Sequence, residues 1–297
     1  MLTFEPKELP IPKLHQYLLN SIAPRPIALA STLNDDGSDN LAPFSFFNLF
    51  SVNPPIAIFS PARRGRNNTT KHTYDNLKER PEVVINIVSY DMAQQCSLAG
   101  VDFAKGVSEF DKGGFTPVKS EMVGPSRVKE SPVQLECKVI EIKELGTEGG
   151  AGNLIIAEII KVHINENVLN DEQMIDPDKI NLVGRMGGAN WCKASGDSVF
   201  QIHNPPTKIG IGIDSLPIEV RNSTILSGND LGKLGQFTEL PDETIINDYK
   251  LMELSEMFLE YEDDSITLEE HLHIRAKNMI SEGNVREALM TVLTFNN

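Results

Sequence analysis

Cysteine and common catalytic signatures are scarce in this sequence. Its 297 residues include only three cysteines, Cys96, Cys137 and Cys192, which lie far apart and form no CxxC pair. This spacing argues against a disulfide scaffold and against a zinc–thiolate centre, and we predict no metal site. The sequence also contains neither a GxSxG elbow nor a Walker A motif, so it offers no serine-hydrolase or P-loop chemistry.

Positive charge and long apolar runs are scarce as well. The chain has 27 Lys and Arg against 42 Asp and Glu, a net charge of −15. Such a surface disfavours nucleic acid and anionic membranes as partners. No apolar run approaches the roughly 18 residues of a spanning helix. The first residues show neither the basic nor the apolar region of a secretory signal. We therefore expect a cytoplasmic protein that binds neither nucleic acid nor membrane.

The first two thirds of the chain carry the signals of short strands joined by turns. Residues 27–32 and 83–89 are short apolar or β-branched runs, and residues 133–139 alternate between apolar and polar. Glycine-rich residues 146–152 lead into a second apolar run at 154–164. Because a strand and not a helix follows these glycines, they indicate a hairpin tip and not a nucleotide loop. The pattern favours a barrel or sandwich.

The character of the sequence changes near residue 195. From residue 243 on, the apolar period is helical, and one stripe steps by three and four residues: Leu251, Leu254, Phe258, Tyr261. A capping-box pattern at 267–270 predicts the start of another helix, and Gly283 predicts its end. We therefore predict two domains, residues 1–194 and a C-terminal extension, residues 195–297, that is loop-rich and then helical.

Two further expectations concern this extension. His271 and His273 are two residues apart on a predicted helix, so they point to different faces, and we interpret them as surface histidines and not as a metal pair. The apolar stripes must pack against other apolar surface, because exposing them to water costs free energy. Because the first half of the extension is rich in glycine, we expect a poor independent core and helices that pack on the first domain.

Two segments of the first domain call for a ligand. In residues 42–48, Pro43 removes a ladder donor, so this strand should lie at a sheet edge or against a ligand, and its phenylalanines offer flat apolar surface. Residues 60–73 gather four cations in an acidic chain: Arg63, Arg64, Arg66 and Lys71. Arginine, lysine and hydroxyl groups bind phosphate, and a helix that begins near Thr70 would add its amides. A solvated basic loop is the alternative.

The order and spacing of several motifs resemble those of the flavin reductase-like family of FMN-binding split β-barrels, of the flavoredoxin type. The motifs span nearly all of the barrel region, from about residue 15 to 192: residues 22–32, 36–37, 40–48, 53–55, 71–73, 84–86, 109–110, 131–132, 135–137, 160–164 and 184–188. The resemblance implies a mainly β fold, a six-stranded Greek-key split barrel with short helices. It also implies a homodimer with FMN at the subunit interface.

The same resemblance implies a set of cofactor-binding positions. Those expected near the isoalloxazine and ribityl chain are Ser31, Thr32, Ala42, Pro43, Phe44, Ser45, Phe46 and Asn48. Those expected near the phosphate are Ser60, Arg63, Lys71, His72 and Thr73. His72 departs from the family pattern, which usually has an aspartate there, and the change does not weaken an anion site.

The implied function is FMN-dependent oxidoreduction. NADH or NADPH would supply a hydride to the flavin, and a flavin or redox protein would accept the electrons. The resemblance suggests His163 as a contact for the nicotinamide, with an exposed strand-end histidine as the alternative. Two other hypotheses stay open: a flavoprotein electron carrier without NAD(P)H activity, and a non-enzymatic flavin-binding protein whose helical tail docks a partner.

Overall fold

The computed structural model describes residues 1–104, 106–202 and 209–296. The chain divides into two compact units, Met1–Phe200 and Gln201–Asn297. In the described parts of the chain, no helix has the length and apolar character needed to cross a membrane. Each unit is described by itself below.

The N-terminal unit is built on one antiparallel sheet of seven strands. These are β1 (Ala28–Leu33), β2 (Asp39–Phe44), β3 (Phe47–Val52), β4 (Pro55–Phe59), β5 (Glu82–Ile87), β8 (Val133–Glu144) and β9 (Asn153–Ile164), in the order β2-β1-β5-β8-β9-β4-β3. Two small hairpins add β6 (Pro117–Val118) with β7 (Arg127–Val128), and β10 (Leu182–Arg185) with β11 (Trp191–Ala194). The helices are α1 (Ile11–Ser21), α2 (His72–Glu79), α3 (Ala93–Ala99), α4 (Glu109–Gly113) and α5 (Pro177–Ile180).

The two edge strands show that this sheet curls until its edges approach each other, although β2 and β3 are not paired with each other. In a flat sheet of seven strands, the edges β2 and β3 would stand about 29 Å apart. Only two residues, Ser45 and Phe46, connect them, and two residues bridge at most about 10 Å. The sheet must therefore curl into a barrel.

The same break corrects the strand count. Residues 41–50 read as one strand, but the chain leaves β2 after Phe44 and begins β3 at Phe47, so the sheet has seven strands where the resemblance implies six. The prediction that Pro43 lies at a sheet edge is confirmed, since β2 is the terminal strand and Pro43 faces Leu29 of β1. The missing amide of a proline costs no hydrogen bond on an open edge.

Side chains alternate between two cores on the faces of the sheet. Inside the barrel, Ala28, Ala30 and Phe44 pack with residues of β4, β5, β8 and β9. On the outer face, Ile27 and Leu29 pack against α3 and α4. The predicted hairpin is confirmed, because β8 and β9 pair along their whole length and the glycine-rich segment joins them.

The C-terminal unit is helical in its described residues. Its helices are α6 (Ile218–Arg221), α7 (Gly228–Leu234), α8 (Glu243–Tyr249), α9 (Ser255–Glu260), α10 (Ser265–Ser281) and α11 (Val285–Leu293). Residues Lys250–Leu254 form a π-helical turn between α8 and α9. Because this turn shifts the helical period, Leu254 is buried while Leu251, from the same predicted stripe, is 70% exposed.

Three details of this unit differ from the sequence-based expectations. The helix predicted to start at residue 267 begins at Ser265, because Asp264 caps it by accepting from the amide of Thr267 at 3.1 Å. His273 is buried and not a surface residue. The unit also has a substantial core of its own, in which Leu234, Leu289 and ten further residues are buried, so the expectation of a poor independent core is wrong.

Candidate functional site

The basic segment after β4 is held against the tip of the β8–β9 hairpin. The Arg63 amide donates to Ala151 O at 2.8 Å, and the Gly150 amide donates to Arg63 O at 3.0 Å. A Cβ on Gly149 would stand 3.1 Å from the Cα of Gly65, so this tip needs glycine for a close backbone approach. The glycine-rich tip therefore supports the basic loop.

One carboxylate organises most of the cations in this loop. Asp102 accepts from Arg64 Nε at 2.9 Å and from Arg64 Nη2 at 2.6 Å, contacts Arg66 Nη2, and lies 3.6 Å from Lys71 Nζ. The hydrogen bond from Arg64, helped by the positive charges of Lys71, Arg64 and Arg66, lowers the pKa of Asp102 to about 2 despite partial burial. Three positive charges share one negative charge, so the loop keeps a net positive charge.

Arg63, the fourth cation, is oriented by the loop itself. Its Nε donates to Asn68 Oδ1 at 2.8 Å and its Nη2 donates to Asn68 O at 2.7 Å. Asn68 adopts a φ of 55°, a left-handed conformation that asparagine tolerates. Neither partner of the guanidinium is a carboxylate, so the charge of Arg63 is not neutralised by its hydrogen bonds.

Two buried polar atoms beside this loop lack partners. Among the described residues, neither Ser60 Oγ nor Asn153 Oδ1 makes a hydrogen bond, although both are buried. A Cβ on Gly152 would approach Ser60 Oγ to 2.7 Å, so glycine there leaves room at the hydroxyl. Buried polar atoms are almost always paired, and an unpaired one indicates a missing ligand or water.

Thr32 and Thr73, two of the predicted cofactor residues, belong to a buried hydrogen-bond network. Asn40 Nδ2 donates to Thr73 Oγ1 at 3.0 Å and to Thr32 Oγ1 at 3.2 Å. Asn76 Nδ2 donates to Thr32 Oγ1 at 3.1 Å and to Asn34 Oδ1 at 3.0 Å. The network fixes α2 to β1 and β2, so both threonines have a structural task within the chain.

The remaining predicted residues on β1 and at the start of α2 are placed differently. Ser31 is fully buried, and its hydroxyl donates to Ser126 O. His72 opens α2 and is half-buried. Its electrostatic partner is Glu109, which accepts from the Leu41 amide at 3.1 Å. Burial raises the pKa of Glu109, while that hydrogen bond and His72 oppose the rise.

The predicted segment 42–48 divides between different surroundings. Ala42 and Phe44 point into the barrel core. Pro43 and Ser45 line a small cavity on the outer face of β2. Phe46 and Asn48 are exposed. The structure therefore does not bring these side chains together on one surface.

A large cleft brings Phe46 and Arg63 together. It has a volume of about 840 Å³ and is walled mainly by apolar residues of α1, with Arg25, Gly65 and the hairpin tip completing it. This volume lies within the range of about 300–1,000 Å³ that is typical of ligand sites. The cleft combines an apolar wall with positive charge, which suits a flat apolar ligand with an anionic end.

His163 lies away from this cleft. It is near the end of β9 opposite Asn153, and its Nε2 is 2.7 Å from Oε1 of the fully buried Glu136. The amides of Glu121 and Met122 donate to the same carboxylate at 2.9 and 2.6 Å. Burial acts to raise the pKa of Glu136, but these two amides and His163 outweigh it and hold the pKa below its usual value.

The model of the flavin reductase like domain matches residues 20–179, more than half of the chain. The chain belongs to the flavin reductase-like family. Membership indicates a flavin-related oxidoreductase with a flavin cofactor.

The relatives and solved structures described next cover similar shares of the chain. An uncharacterized protein of Aquifex aeolicus is 32% identical over 199 residues, which are 67% of this chain and 99% of that protein. The nitrilotriacetate monooxygenase component B of Bacillus cereus is 26% identical, with a TM-score of 0.63 over 68% of this chain and 98% of that one. A split-barrel protein of Shewanella frigidimarina, 22% identical, has a TM-score of 0.57 over 69% of this chain and all of that one, which supports the split-barrel fold.

Some residues of this flavin reductase-like site were not found by sequence reasoning. Asp102 lies in a loop after α3, far from the basic loop in sequence, and no local pattern marks it as the counter-ion. Arg25 stands inside a motif of the family, but the motif does not show that its guanidinium binds main-chain carbonyls. Asn40 sits in another such motif, and an asparagine on an apolar strand is the only signal of its buried network.

Proposed function

We propose that this protein binds FMN and uses NADH or NADPH to reduce it, passing the electrons on to an acceptor. The observation that carries the proposal is the cleft, in which an apolar wall meets Arg63 of the basic loop, while the unpaired buried hydroxyl of Ser60 lies beside the same loop. FMN has a flat ring system at one end and a phosphate at the other, and these two parts match the apolar wall and the cations with the Ser60 hydroxyl.

The residues present divide the work of binding between them. Arg63 and Lys71 would supply positive charge to the phosphate, and Ser60 Oγ would donate a hydrogen bond to it. Phe46 and the apolar residues of α1 would cover the ring and exclude water. Bound FMN supplies the redox chemistry, while the chain binds and orients it.

Lys71→Ala tests the phosphate end of this proposal. Charge-assisted hydrogen bonds contribute about 1.5–3 kcal/mol, so FMN affinity should fall by about one to two orders of magnitude. Riboflavin lacks the phosphate and should bind nearly as well to the variant as to the original protein. Lys78→Ala on the exposed side of α2 is the matched control. Equal losses for FMN and riboflavin would remove Lys71 from the phosphate site.

A flavoprotein electron carrier is the second candidate, and the position of His163 favours it. Within one chain this histidine is bound to Glu136 and lies away from the cleft, so the cleft does not include the residue expected to contact a nicotinamide. Anaerobic addition of NADH or NADPH to the FMN-loaded protein separates the two candidates. Bleaching of the visible flavin absorbance with turnover supports the reductase, whereas retained colour supports the carrier.

We also propose a homodimer. The edge strand β3 exposes Leu49, Phe50 and Val52 by 53, 65 and 79%, and an apolar edge strand in water invites pairing with another chain. Phe50→Arg should convert the dimer to monomers in light-scattering measurements, whereas Leu98→Arg at an exposed apolar position on α3 should not. A wild-type protein that scatters as a monomer at micromolar concentration would rule the dimer out.

A further inference from the structure

A second cavity lies on the outer face of β2, apart from the barrel core. Its volume is about 270 Å³. Pro43 and Ser45 form one wall, Cys96 and Ser97 of α3 form another, and the β10–β11 hairpin closes it. This is near the lower limit of ligand pockets, which is about 300 Å³, so only a small molecule fits. The cavity is neither the cleft nor the basic loop described above.

A stacked arginine–tryptophan pair supplies the recognition groups of this cavity. The guanidinium carbon of Arg185 stands 5.0 Å from the centre of the Trp191 ring. Its Nη2 donates to Gly188 O at 2.9 Å, and among the described residues no carboxylate lies within ion-pair distance of it. Stacking fixes the plane of the guanidinium, and the in-plane donors left over suit the two oxygens of a carboxylate.

A second arginine adds to the uncompensated charge. Arg25 is 6% exposed, and its Nη atoms donate to the carbonyls of Leu19, Ile22 and Met186 at 2.6, 2.8 and 2.9 Å. Its Nε approaches Ser45 Oγ at 3.5 Å. Burial and then the charge of Arg185 lower the pKa of Arg25. In a chain of net charge −15, two neighbouring cations without a described carboxylate indicate a place for an anion.

We propose that this cavity binds a small carboxylate with an apolar body, such as a single-ring aromatic acid. Arg185 would receive the carboxylate, and the hydroxyls of Ser45 and Ser97 line the same polar side. Ile27, Pro43 and Trp191 would pack against the apolar body. None of these groups lines the cleft or belongs to the basic loop, and two of them, Pro43 and Ser45, are positions that the family resemblance expects near the flavin.

The sole tryptophan of the chain makes the proposal measurable without any activity. Trp191 is the one tryptophan among the 297 residues, so its emission reports directly on the cavity. The probes are benzoate, the neutral isostere benzamide and inorganic phosphate, titrated into the full-length protein with and without added FMN. Isothermal titration calorimetry provides the second readout. FMN binding is measured separately, so that failure of either proposal can be recognised alone.

Benzoate should change the Trp191 emission and bind at least about tenfold more tightly than benzamide, since charge-assisted bidentate bonds are the strong ones. Arg185→Gln should lower the affinity for benzoate at least about tenfold, and Arg185→Lys should restore part of that affinity. The exposed Arg80→Gln is the control and should leave the affinity unchanged. Thermal melts of each variant confirm that it is folded.

Four results would overturn the proposal. The first is equal affinity for benzoate and benzamide. The second is unchanged benzoate binding in folded Arg185→Gln. The third is phosphate binding as tight as that of benzoate, which would show an anion site with no use for an apolar body. Absence of any heat or emission change at millimolar benzoate would likewise exclude a ligand of this class.

Discussion

The N-terminal unit differs from the C-terminal one in its networks of buried polar side chains. In the N-terminal unit, the Thr32–Asn40–Thr73–Asn76 network and the Glu136 carboxylate are buried and held by several hydrogen bonds each. The core of the C-terminal unit is mainly aliphatic, with Leu234 and Leu289 fully buried. Polar networks fix one geometry, because a half-paired buried group is costly, whereas aliphatic cores tolerate exchange of shape.

The two units also differ in how far the relatives cover them. The matched residues 20–179 contain the polar network, the basic loop and Glu136. Each relative described above leaves about a third of this chain unmatched. Since those relatives are themselves matched over 98–100% of their length, the unmatched third of this chain is sequence that they do not have.

The largest effect expected is from core truncation, and it separates the two units. Leu272 of α10 and Leu77 of α2 are both almost completely buried. Leu272→Ala and Leu77→Ala should each lower the free energy of unfolding by about 3 kcal/mol. Only Leu77→Ala should weaken FMN binding, because α2 contains the end of the basic loop. Calorimetry measures the stability loss and FMN titration measures the affinity. Loss of FMN affinity in folded Leu272→Ala would contradict the assignment of FMN binding to the N-terminal unit alone.

The next effect concerns the buried carboxylate. Glu136→Gln keeps the shape but removes a charge that accepts from two amides and His163. We expect the free energy of unfolding to fall by about 2 kcal/mol, because buried donors lose their acceptor. Denaturant unfolding measures the loss. Glu121→Gln at the exposed end of the cluster serves as control and should have little effect, and equal losses would mean that burial does not matter here.

A smaller effect is expected on acidification, where the two units should lose stability at different pH values. Burial lowers the pKa of His273 below 6.5, while Glu269 and Glu219 oppose it less strongly. The stability that neutral His273 contributes is therefore fully present above pH 6.5 and is lost as the pH falls through the folded pKa of His273. For Glu136, the corresponding loss begins only as the pH falls below 4.5.

The C-terminal unit should thus weaken first on acidification. Melts followed between about pH 7 and pH 2 test this order. His273→Asn should flatten the first phase and leave the second unchanged. If the N-terminal unit loses stability first, the assignment of these groups to the two phases is wrong.

The smallest effect is expected from removing the C-terminal unit altogether. The N-terminal unit contains its own cores inside and outside the barrel. A chain that ends at Phe200 should therefore remain folded, with FMN affinity within about a factor of two of the full chain. Titration of both chains with FMN measures this. A large loss of affinity would show that the site needs the C-terminal residues and would erase the distinction between the units.

Local signals in the sequence predicted much of this fold. The alternation in residues 133–139 and the turn after it identified the β8–β9 hairpin, and Gly283, with φ of 88°, marked the end of α10. The break after Phe44 was missed, because it follows from closure of the barrel, to which distant strands contribute. The π-helical turn was missed too, since a regular stripe in the sequence does not show an inserted residue.

The candidate site was less predictable than the fold. Residue types alone drew attention to the cations of the basic loop, but not to Asp102, since ion pairing joins segments that only the fold brings together. Motif spacing grouped residues 42–48 as one surface. Strand pleating instead sends Phe44 into the core and Ser45 to the outer cavity.

Arg25 has a consequence for how the two cavities communicate. It borders the large cleft, while its Nε approaches Ser45 of the small cavity and its main chain pairs with that of Arg185. The Arg25 side chain thus separates the two cavities. Its guanidinium is held by three carbonyl oxygens and cannot change conformation without breaking those hydrogen bonds. An anion seated on either side meets the same cation, so occupancy of one chamber changes the electrostatic potential in the other. By linkage, that influence is reciprocal.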